Sequence, residues 1–443
     1  MKYLQIFVVG IFLLTLQNTA AEKLGEWNCS DCHSSDTSAG IYEQWLKSTH
    51  SDVWENPTIQ KAIKKSLIDT DGKTAGLCIR CKAPMAYITG GYSYNETEIA
   101  VDIDNPEYAK GIPCEFCHIV KGTNTENIAA PGSYMVNWED ETAKIINETM
   151  LGPISDPVNV DHPTAYSEVH KDSIFCASCH EFTTPKGVKN CETYSEWYNS
   201  TYKGEKTCQD CHMVVVSGIA GKDPEDGEMP VRDVNSHNIP GGHNTDMLKK
   251  AVSLDISASY SENGKGFEIS VNADITNKGA GHRFPTGSPK RIGIINVTVK
   301  DESGNVIYTE EKQYKKVLGL EDGTATPKAW LATQILSDNR IYPGEKRSEV
   351  FSFEVNEPGD YNVEVLLGYK SGAEKPLVEI EKKTTTVSVK PSVTPEVSPS
   401  ETPTSAITET PETPEEKPTP GFEALYAIAG LIAVVYLLRK RLK

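Results

Sequence analysis

Five C-x-x-C pairs, four of them followed directly by histidine, constrain this chain more than any other feature. Ten of its eleven cysteines belong to these pairs. In a chain of 443 residues with 11 Cys and 10 His, chance predicts roughly 0.006 C-x-x-C-H motifs. The repeat therefore indicates one chemical role filled several times. The five motifs are Cys29-Ser-Asp-Cys32-His33, Cys78-Ile-Arg-Cys81-Lys82, Cys114-Glu-Phe-Cys117-His118, Cys176-Ala-Ser-Cys179-His180 and Cys208-Gln-Asp-Cys211-His212.

The spacing of these motifs is that of covalent c-type haem attachment. Two thiols three residues apart lie on one helical turn and can each add to a porphyrin vinyl group, while the next residue faces the iron. Paired C-x-x-C also builds zinc ribbons and disulfides in exported proteins, but neither alternative explains the histidine repeat. We therefore expect five haems, with proximal ligands His33, Lys82, His118, His180 and His212.

Six further histidines are candidates for the opposite axial positions. Five six-coordinate irons need ten ligands, and the chain holds ten His plus Lys82. One His is spare if every iron is six-coordinate, and two are spare if the Lys82 haem keeps an open face. Bis-histidine ligation favours low reduction potentials, whereas methionine ligation would raise them. The candidate distal ligands are His50, His162, His170, His237, His243 and His282.

The haem-bearing region, residues 22–250, is predicted to be mostly α-helical and irregular, with macrocycles forming much of its core. The apolar fraction of 38% is low for a chain of this length and agrees with that prediction. Cys191 is expected to be a buried free thiol, with an intermolecular disulfide or sulfur ligation as alternatives. A net charge of −18 excludes nucleic acid as a partner.

Residues 251–390 show alternating apolar residues and regularly spaced turns instead. Runs such as Phe267 to Ile275 and Tyr361 to Leu367, separated by turn signals such as Pro343-Gly344, suggest about seven strands. This pattern indicates an all-β, immunoglobulin-like sandwich. Modules of this kind are often spacers or interaction surfaces. His282 lies in a loop of this region and could reach a haem, which would lock the two domains together.

Both ends of the chain carry targeting features. Residues 1–21 have the pattern of a cleaved signal peptide. Residues 391–420 form a Pro/Thr/Ser-rich stalk expected to be disordered. Residues 421–438 are a candidate transmembrane helix or sorting signal, and the basic residues 439–443 place that end in the cytoplasm.

Everything upstream of residue 421 is therefore expected on the outer face of the membrane, anchored at the C-terminus. Five Asn-x-Ser/Thr sequons permit glycosylation there.

The motifs together resemble the multihaem cytochromes c of the cytochrome c-552/c-554 type. These are related to the haem cores of hydroxylamine oxidoreductase, octahaem tetrathionate reductase and ammonia-forming nitrite reductase. The resemblance implies close-packed haems that pass electrons along a chain. It rests on WLKSTH (45–50), CIRCKAPMA (78–86), GIPCEFCH (111–118), FCASCHEFTT (175–184), TYSEW through CQDCHM (193–213), SHNIPGGH (236–243) and GAGHRFPTG (279–287).

A second resemblance concerns the C-terminus. Pro420-Gly421-Phe422, one apolar helix and a basic tail are similar to the PGF-type sorting signal of archaeal cell-surface proteins. That resemblance implies trimming of the signal and its replacement by a lipid. A plain membrane anchor is the alternative and predicts the same side of the membrane.

Lys82 departs from the usual histidine of this family and leaves two functions open. A cell-surface carrier would pass electrons between membrane carriers and extracellular acceptors or partner cytochromes, and we expect this function. The alternative is suggested because C-x-x-C-K is similar to the catalytic haem motif of ammonia-forming nitrite reductase. An oxidoreductase would then reduce nitrite, hydroxylamine or a sulfur oxyanion at the Lys82 haem, although the haem region holds only Arg80 and Arg232 for an anion.

Overall fold

The computed structural model describes residues 28–36, 38–102, 106–139, 144–145, 149–223, 225 and 227–391. The predicted signal peptide, the C-terminal helix, the basic tail and all but the first residue of the predicted stalk lie outside this part. None of the described helices is long and apolar enough to cross a membrane. The described residues fall in one compact unit, with a helical first part and a β-rich second part.

Short helices joined by loops build the first part. In its longest helix, 57–70, the Asn56 side chain accepts hydrogen bonds from the N–H groups of Thr58 and Ile59, and Pro57 occupies the first turn. The described helices are α1 (Cys29–His33), α2 (Ile41–Lys47), α3 (Pro57–Thr70), α4 (Ala75–Arg80), α5 (Pro84–Thr89), α6 (Pro106–Lys110), α7 (Cys114–Ile119), α8 (Ile174–His180), α9 (Thr193–Tyr198), α10 (Cys208–His212) and α11 (Thr245–Ala251).

Small two-stranded sheets lie between these helices. The pairs are β1 (Tyr92–Tyr94) with β2 (Ile99–Val101), β3 (Val120–Thr123) with β4 (Tyr134–Val136), β5 (Trp138–Glu139) with β6 (Lys144–Ile145), β7 (Met150–Gly152) with β8 (Thr164–Tyr166), β9 (Glu181–Thr183) with β10 (Lys189–Glu192), and β11 (Val215–Ile219) with β12 (Val231–Asn235). The described apolar clusters of this part are small, one around Phe116 and one around Leu67. A core of this size is expected where macrocycles fill much of the interior.

The second part contains two antiparallel sheets that face each other. Their strand orders are β13-β14-β19 and β16-β15-β20-β21. The strands are β13 (Val252–Glu262), β14 (Phe267–Asn277), β15 (Ile292–Lys300), β16 (Val306–Tyr314), β17 (Lys316–Gly319), β18 (Gln334–Asp338), β19 (Lys346–Val355), β20 (Gly359–Lys370) and β21 (Val378–Val389). Strands β17 and β18 form a separate hairpin, which the sequence did not predict.

One apolar core joins the two sheets. Ile269 pairs with Phe353 in the first sheet, and Ile295 pairs with Leu367 in the second. Alternate residues of β14 are buried, as its period of two predicts. The β-rich character predicted for this region is confirmed. The predicted boundary at 250/251 falls within α11, whose Leu248 belongs to the same core.

Buried ion pairs join the two parts of the compact unit. The guanidinium of Arg340 lies 2.8 Å from a carboxylate oxygen of Glu196 in α9 and 2.8 Å from one of Asp338 in β18. Nearby, the amine of Lys316 lies 2.5 Å from a carboxylate oxygen of Glu192. The Arg340 and Lys316 side chains are 3% and 1% exposed. Because a buried charge without a partner is costly, these pairs fix the β-rich part on the helical part.

The loop of residues 278–287 is held by the same network. The second carboxylate oxygen of Glu196 accepts hydrogen bonds from Thr286 Oγ1 at 2.5 Å and from the backbone N–H of Arg283 at 3.2 Å. A Cβ on Gly281 would lie 3.1 Å from the Trp197 ring, so only a small residue allows this close approach. These contacts hold the loop, which carries His282, in a fixed position over α9.

We expect Arg340→Met to destabilise the protein by about 3 kcal/mol or more, because it leaves Glu196 as an unpaired buried charge. Thermal unfolding followed by circular dichroism should show a Tm lower by several degrees. Lys346→Met is the matched control, because its pair with Asp274 has a lysine side chain 58% exposed. That control should change Tm little, and equal losses in both variants would contradict the assigned role of the network.

Candidate functional site

Four of the five C-x-x-C pairs lie on short helices that end at or just after the fifth residue of the motif. Helices α1 and α10 begin at the first cysteine and end at His33 and His212, and α8 ends at His180. Helix α7 runs one residue beyond His118. In the second motif Cys81 is the C-cap of α4, so Lys82 follows the helix. All five motifs thus place both thiols on one turn, as the attachment chemistry requires.

Backbone carbonyls orient three of the predicted proximal imidazoles. His33 Nδ1 lies 2.7 Å from the carbonyl oxygen of Ala220, and His118 Nδ1 lies 2.7 Å from that of Leu151. His212 Nδ1 lies 2.6 Å from the carbonyl oxygen of Pro240. With the proton on Nδ1 donated to a carbonyl, Nε2 is left as the ligand atom, the arrangement usual for histidine bound to a metal.

Three pairs of imidazoles have the spacing that a shared iron requires. With metal–imidazole bonds of about 2.0 Å and ring nitrogens about 1.1 Å from the ring centre, two axial imidazoles have centres about 6.2 Å apart. The observed ring-centre separations are 6.3 Å for His50 and His180, 6.3 Å for His118 and His237, and 6.4 Å for His212 and His282. The residues therefore fit haem iron at three positions.

Burial keeps these imidazoles neutral. It lowers the pKa of His118 and His180 to about 3, and the pKa of His50 and His282 to about 4. Neighbouring imidazoles and cations lower these pKa values further. A neutral imidazole is the form that binds a metal, so the surroundings hold these side chains in a state ready for ligation.

The other candidate ligands are less tightly paired. His170 also lies near His118, at 5.9 Å between ring centres, but its Nε2 is 3.1 Å from the carbonyl oxygen of Cys117. His162 lies close enough to His33 to lower its pKa, which burial lowers more strongly. His243 similarly affects His50, whose pKa is lowered chiefly by burial. Their assignment as iron ligands stays a prediction.

The motifs themselves are in contact. The thiols of Cys81 and Cys179 lie close enough to shift each other's pKa, and so do those of Cys176 and Cys208. The second and fifth motifs therefore both lie next to the fourth. Groups attached at these cysteines would therefore be immediate neighbours.

The first and third motifs approach each other through a carboxylate. The thiol of Cys29 lies 3.8 Å from the side chain of Glu115, which belongs to the third motif. Cys117 of that motif also lies close enough to Cys176 and Cys179 to raise their thiol pKa values. The third motif thus links the first motif to the fourth.

The surroundings of Lys82 combine a cation with aromatic rings. The Arg80 guanidinium lies 4.6 Å from the Tyr87 ring centre, and Tyr134 Oη donates to the carbonyl of Arg80 at 3.1 Å. Lys82 is close enough to His50 to contribute to its low pKa, after burial. Arg232 instead pairs with Asp156 at 2.9 Å. Of the two arginines of this region, Arg80 is the one that belongs to the C-x-x-C-K motif.

Cys191 is half-buried and packs beside the fourth motif. Its thiol donates to the carbonyl of His180 at 3.4 Å, and burial raises its pKa. Among the described residues, no group of three or more His, Cys, Asp or Glu side chains is arranged to hold a metal ion directly.

Sequence analysis missed the groups that orient the ligands. A Cβ on Gly221 would lie 2.7 Å from His33 Cε1, so this glycine lets the chain pass directly against the imidazole. The carbonyls of Ala220, Leu151 and Pro240 gave no signal because every residue has a carbonyl. Gly221 gave only a weak sequence signal for this role, because the loop that contains it, after a strand, has no recognisable turn pattern.

Comparisons with known proteins indicate the class of protein to which these motifs belong. Residues 28–119, which contain the first three motifs, match the family described as cytochrome c554 and c-prime. Residues 419–441 match the PGF-CTERM motif. A search of curated proteins finds no match.

Among solved structures, the chain is similar to a penta-heme cytochrome c552 from Thermochromatium tepidum. The identity is 20% and the TM-score 0.59, over 81% of this chain and 97% of that chain, which shows a common fold. Two further likenesses are too weak to show a common fold. One is a beta-glucuronidase from Bacteroides uniformis (13% identity, TM-score 0.19, 31% of this chain and 13% of that chain). The other is the C-terminal domain of wzt (12% identity, TM-score 0.21, 32% of this chain and 75% of that chain).

These matches confirm the resemblance stated from the sequence. They support a multihaem c-type cytochrome with iron-bearing c-type haem as its cofactor. They also support export, with an archaeal-type sorting signal that anchors the C-terminus at the cell surface. The number of haems, the individual ligands, glycosylation and a transmembrane helix stay predictions.

Replacing Gly221 by alanine should disturb the first motif. Its Cβ would force the His33 imidazole to shift, and we expect a local loss of about 1 to 3 kcal/mol. Electron paramagnetic resonance (EPR) of the oxidised protein should show one altered haem signal. Gly372→Ala is the control, because its Cβ would meet only the Lys375 side chain at an ordinary 3.6 Å. An unchanged spectrum in Gly221→Ala would contradict the contact.

Removing His237 or His170 should identify the partner of His118. We expect His237→Ala to convert one low-spin haem to a high-spin haem, because the spacing of His118 and His237 fits a shared iron. His170→Ala should leave the haem of His118 low-spin, since the His170 Nε2 faces a carbonyl. EPR of the two oxidised variants shows whether His237 or His170 is the partner of His118. The opposite result would assign His170 to the third motif.

Proposed function

We propose that this chain is a cell-surface electron carrier with five c-type haems. It would carry electrons between membrane carriers and extracellular acceptors or partner cytochromes. The observation that carries the proposal is the spacing of three imidazole pairs at 6.3 to 6.4 Å. An iron held between two imidazoles has no free face for a substrate, so these positions suit electron transfer alone.

We assign the remaining ligands by counting and proximity. His162 is assigned to the His33 iron, because the two side chains lie close together. His243 is assigned opposite Lys82, because both lie close to His50. His170 is then the spare histidine. Under this assignment all five irons are six-coordinate.

The contacts between motifs support passage of electrons through the whole chain of haems. The first motif approaches the third at Cys29 and Glu115, the third approaches the fourth, and the fourth touches the second and the fifth. The protein's contribution is to hold these groups adjacent, to fix the orientation of each imidazole and to exclude water. When bound, the haems supply the one-electron chemistry.

The β-rich part supplies His282 and, together with the C-terminus, sets the position of the haem part. The seven long strands of the β-rich part, in the orders β13-β14-β19 and β16-β15-β20-β21, support the predicted immunoglobulin-like sandwich. We infer that this sandwich and the stalk raise the haem part above the membrane. The sorting signal at residues 419–441 would leave the C-terminus attached there.

A reductase at the Lys82 haem is the second candidate. The observation in its favour is the Arg80 guanidinium beside Tyr87 and Tyr134, which together could hold a small oxyanion next to the C-x-x-C-K motif. Nitrite, hydroxylamine or a sulfur oxyanion would be the substrate. This function requires an open face on the Lys82 iron, whereas the carrier does not.

EPR of the oxidised full-length holoprotein separates the two functions. We expect five low-spin signals, an intact mass that includes five haems, and no spectral change on adding nitrite or hydroxylamine. Lys82→His should keep five low-spin signals, because imidazole also ligates iron. His243→Ala is the comparison variant and should open one face, giving a high-spin signal. A native high-spin signal that nitrite perturbs and Lys82→His alters would establish the reductase instead.

A further inference from the structure

The hairpin of β11 and β12 covers the first haem motif. Ala39, which follows that motif, donates its backbone N–H to the carbonyl of Ile219 at 2.9 Å. A Cβ on Gly218 would lie 2.8 Å from Ala39 Cβ. Directly after β11, the Ala220 carbonyl accepts from His33, and the N–H of Lys222 donates to the Cys32 carbonyl at 2.8 Å. The inner face of the hairpin is therefore fixed against the motif.

The outer face of the same hairpin exposes two valines and two polar side chains. Val231 is 69% exposed and Val215 is 59% exposed, and the exposed Ser217 and Asp233 lie opposite each other between them. No third strand pairs with β11 or β12 among the described residues. Val231 lies opposite Ile219 in the register, and the exposed Asp233 lies two residues farther along β12. An unpaired sheet face that exposes apolar side chains among polar ones is a candidate interaction site.

The exposed side chains of this hairpin include three carboxylates. Asp233 lies on the outer face, and Glu225 and Glu228 are exposed in the connection between the two strands. The basic residues of this segment are Lys222 and Arg232, and Arg232 is paired with Asp156 at 2.9 Å. The exposed charge of the hairpin is therefore mainly acidic.

We infer that this face, composed of Val215, Val231 and Asp233 with the acidic Glu225 and Glu228 in the adjoining connection, docks a basic redox protein. The occupant has lysines or arginines around an apolar contact next to its own cofactor. This inference rests on the proposed function, because it names the kind of partner that exchanges electrons with the first haem.

Charge and geometry favour that occupant over others. A second copy of the chain would also carry a net charge of −18, so two copies repel. A basic partner is attracted, which raises the rate of encounter. The face is separated from the His33 imidazole by the chain at Ala220, whose carbonyl is 2.7 Å from Nδ1. A partner seated there is therefore close to the ligand of the first iron.

The test is electron transfer from the reduced full-length holoprotein to oxidised lysine-rich cytochrome c, followed by stopped-flow absorbance. At low ionic strength, the double variant Glu228→Lys with Asp233→Lys should lower the second-order rate about tenfold and flatten its salt dependence. The control is Glu310→Lys with Glu311→Lys, which makes the same change of charge on the exposed strand β16. The second-order rate of that control should stay within about twofold of the native rate.

A second variant tests the apolar contact. Val215→Thr with Val231→Thr keeps the β-branched shape but should weaken the complex about threefold to tenfold at high ionic strength. Reduction of a neutral quinone should proceed at the native rate in every variant, and the haem spectra should be unchanged.

Three results would overturn the inference. Equal slowing by both charge variants would assign the effect to total charge rather than to this face. Native rates in all variants would show that the partner docks elsewhere. Dimers in the native protein that Val215→Thr with Val231→Thr abolishes would assign the face to a second copy. By contrast, a holoprotein that reduces neither cytochrome c nor quinone would contradict the proposed carrier itself.

Discussion

The arrangement of the first part depends on three pairs of buried imidazoles whose ring centres lie 6.3 to 6.4 Å apart. That separation is the one expected for two axial ligands of one iron. Burial keeps the pKa values of His118 and His180 far below the ordinary range, and a neutral imidazole is the form that binds a metal. The short helices, small sheets and loops of the first part hold these side chains in place.

Sequence alone predicted the chemistry of this site but not its pairing. The C-x-x-C-H motifs predict attachment and proximal ligands because both act within one helical turn. The imidazoles that face the predicted proximal ligands come from far along the chain. His50 lies opposite His180, and His282 of the β-rich part lies opposite His212. Such pairs depend on the path of the whole chain, so counting histidines could supply only a set of candidates.

The β-rich part was predictable for a similar reason, since alternation of apolar residues acts within a single strand. Its attachment to the haem part was not predictable. Arg340 and Lys316 are buried cations whose partners lie more than a hundred residues earlier, at Glu196 and Glu192. Nothing in their local sequence distinguishes them from surface residues. Through Thr286 and Arg283 the same network positions the loop of His282, so the sandwich helps to place this imidazole beside His212.

A crystal structure of the purified holoprotein with an iron anomalous difference map would test the central claim most directly. The account predicts five iron peaks, of which three lie midway between His50 and His180, between His118 and His237, and between His212 and His282. Each iron would then be about 2.0 Å from two imidazole nitrogens. Iron peaks displaced from these midpoints, or fewer than five peaks, would contradict the assignment of ligands and the chain of haems built on it.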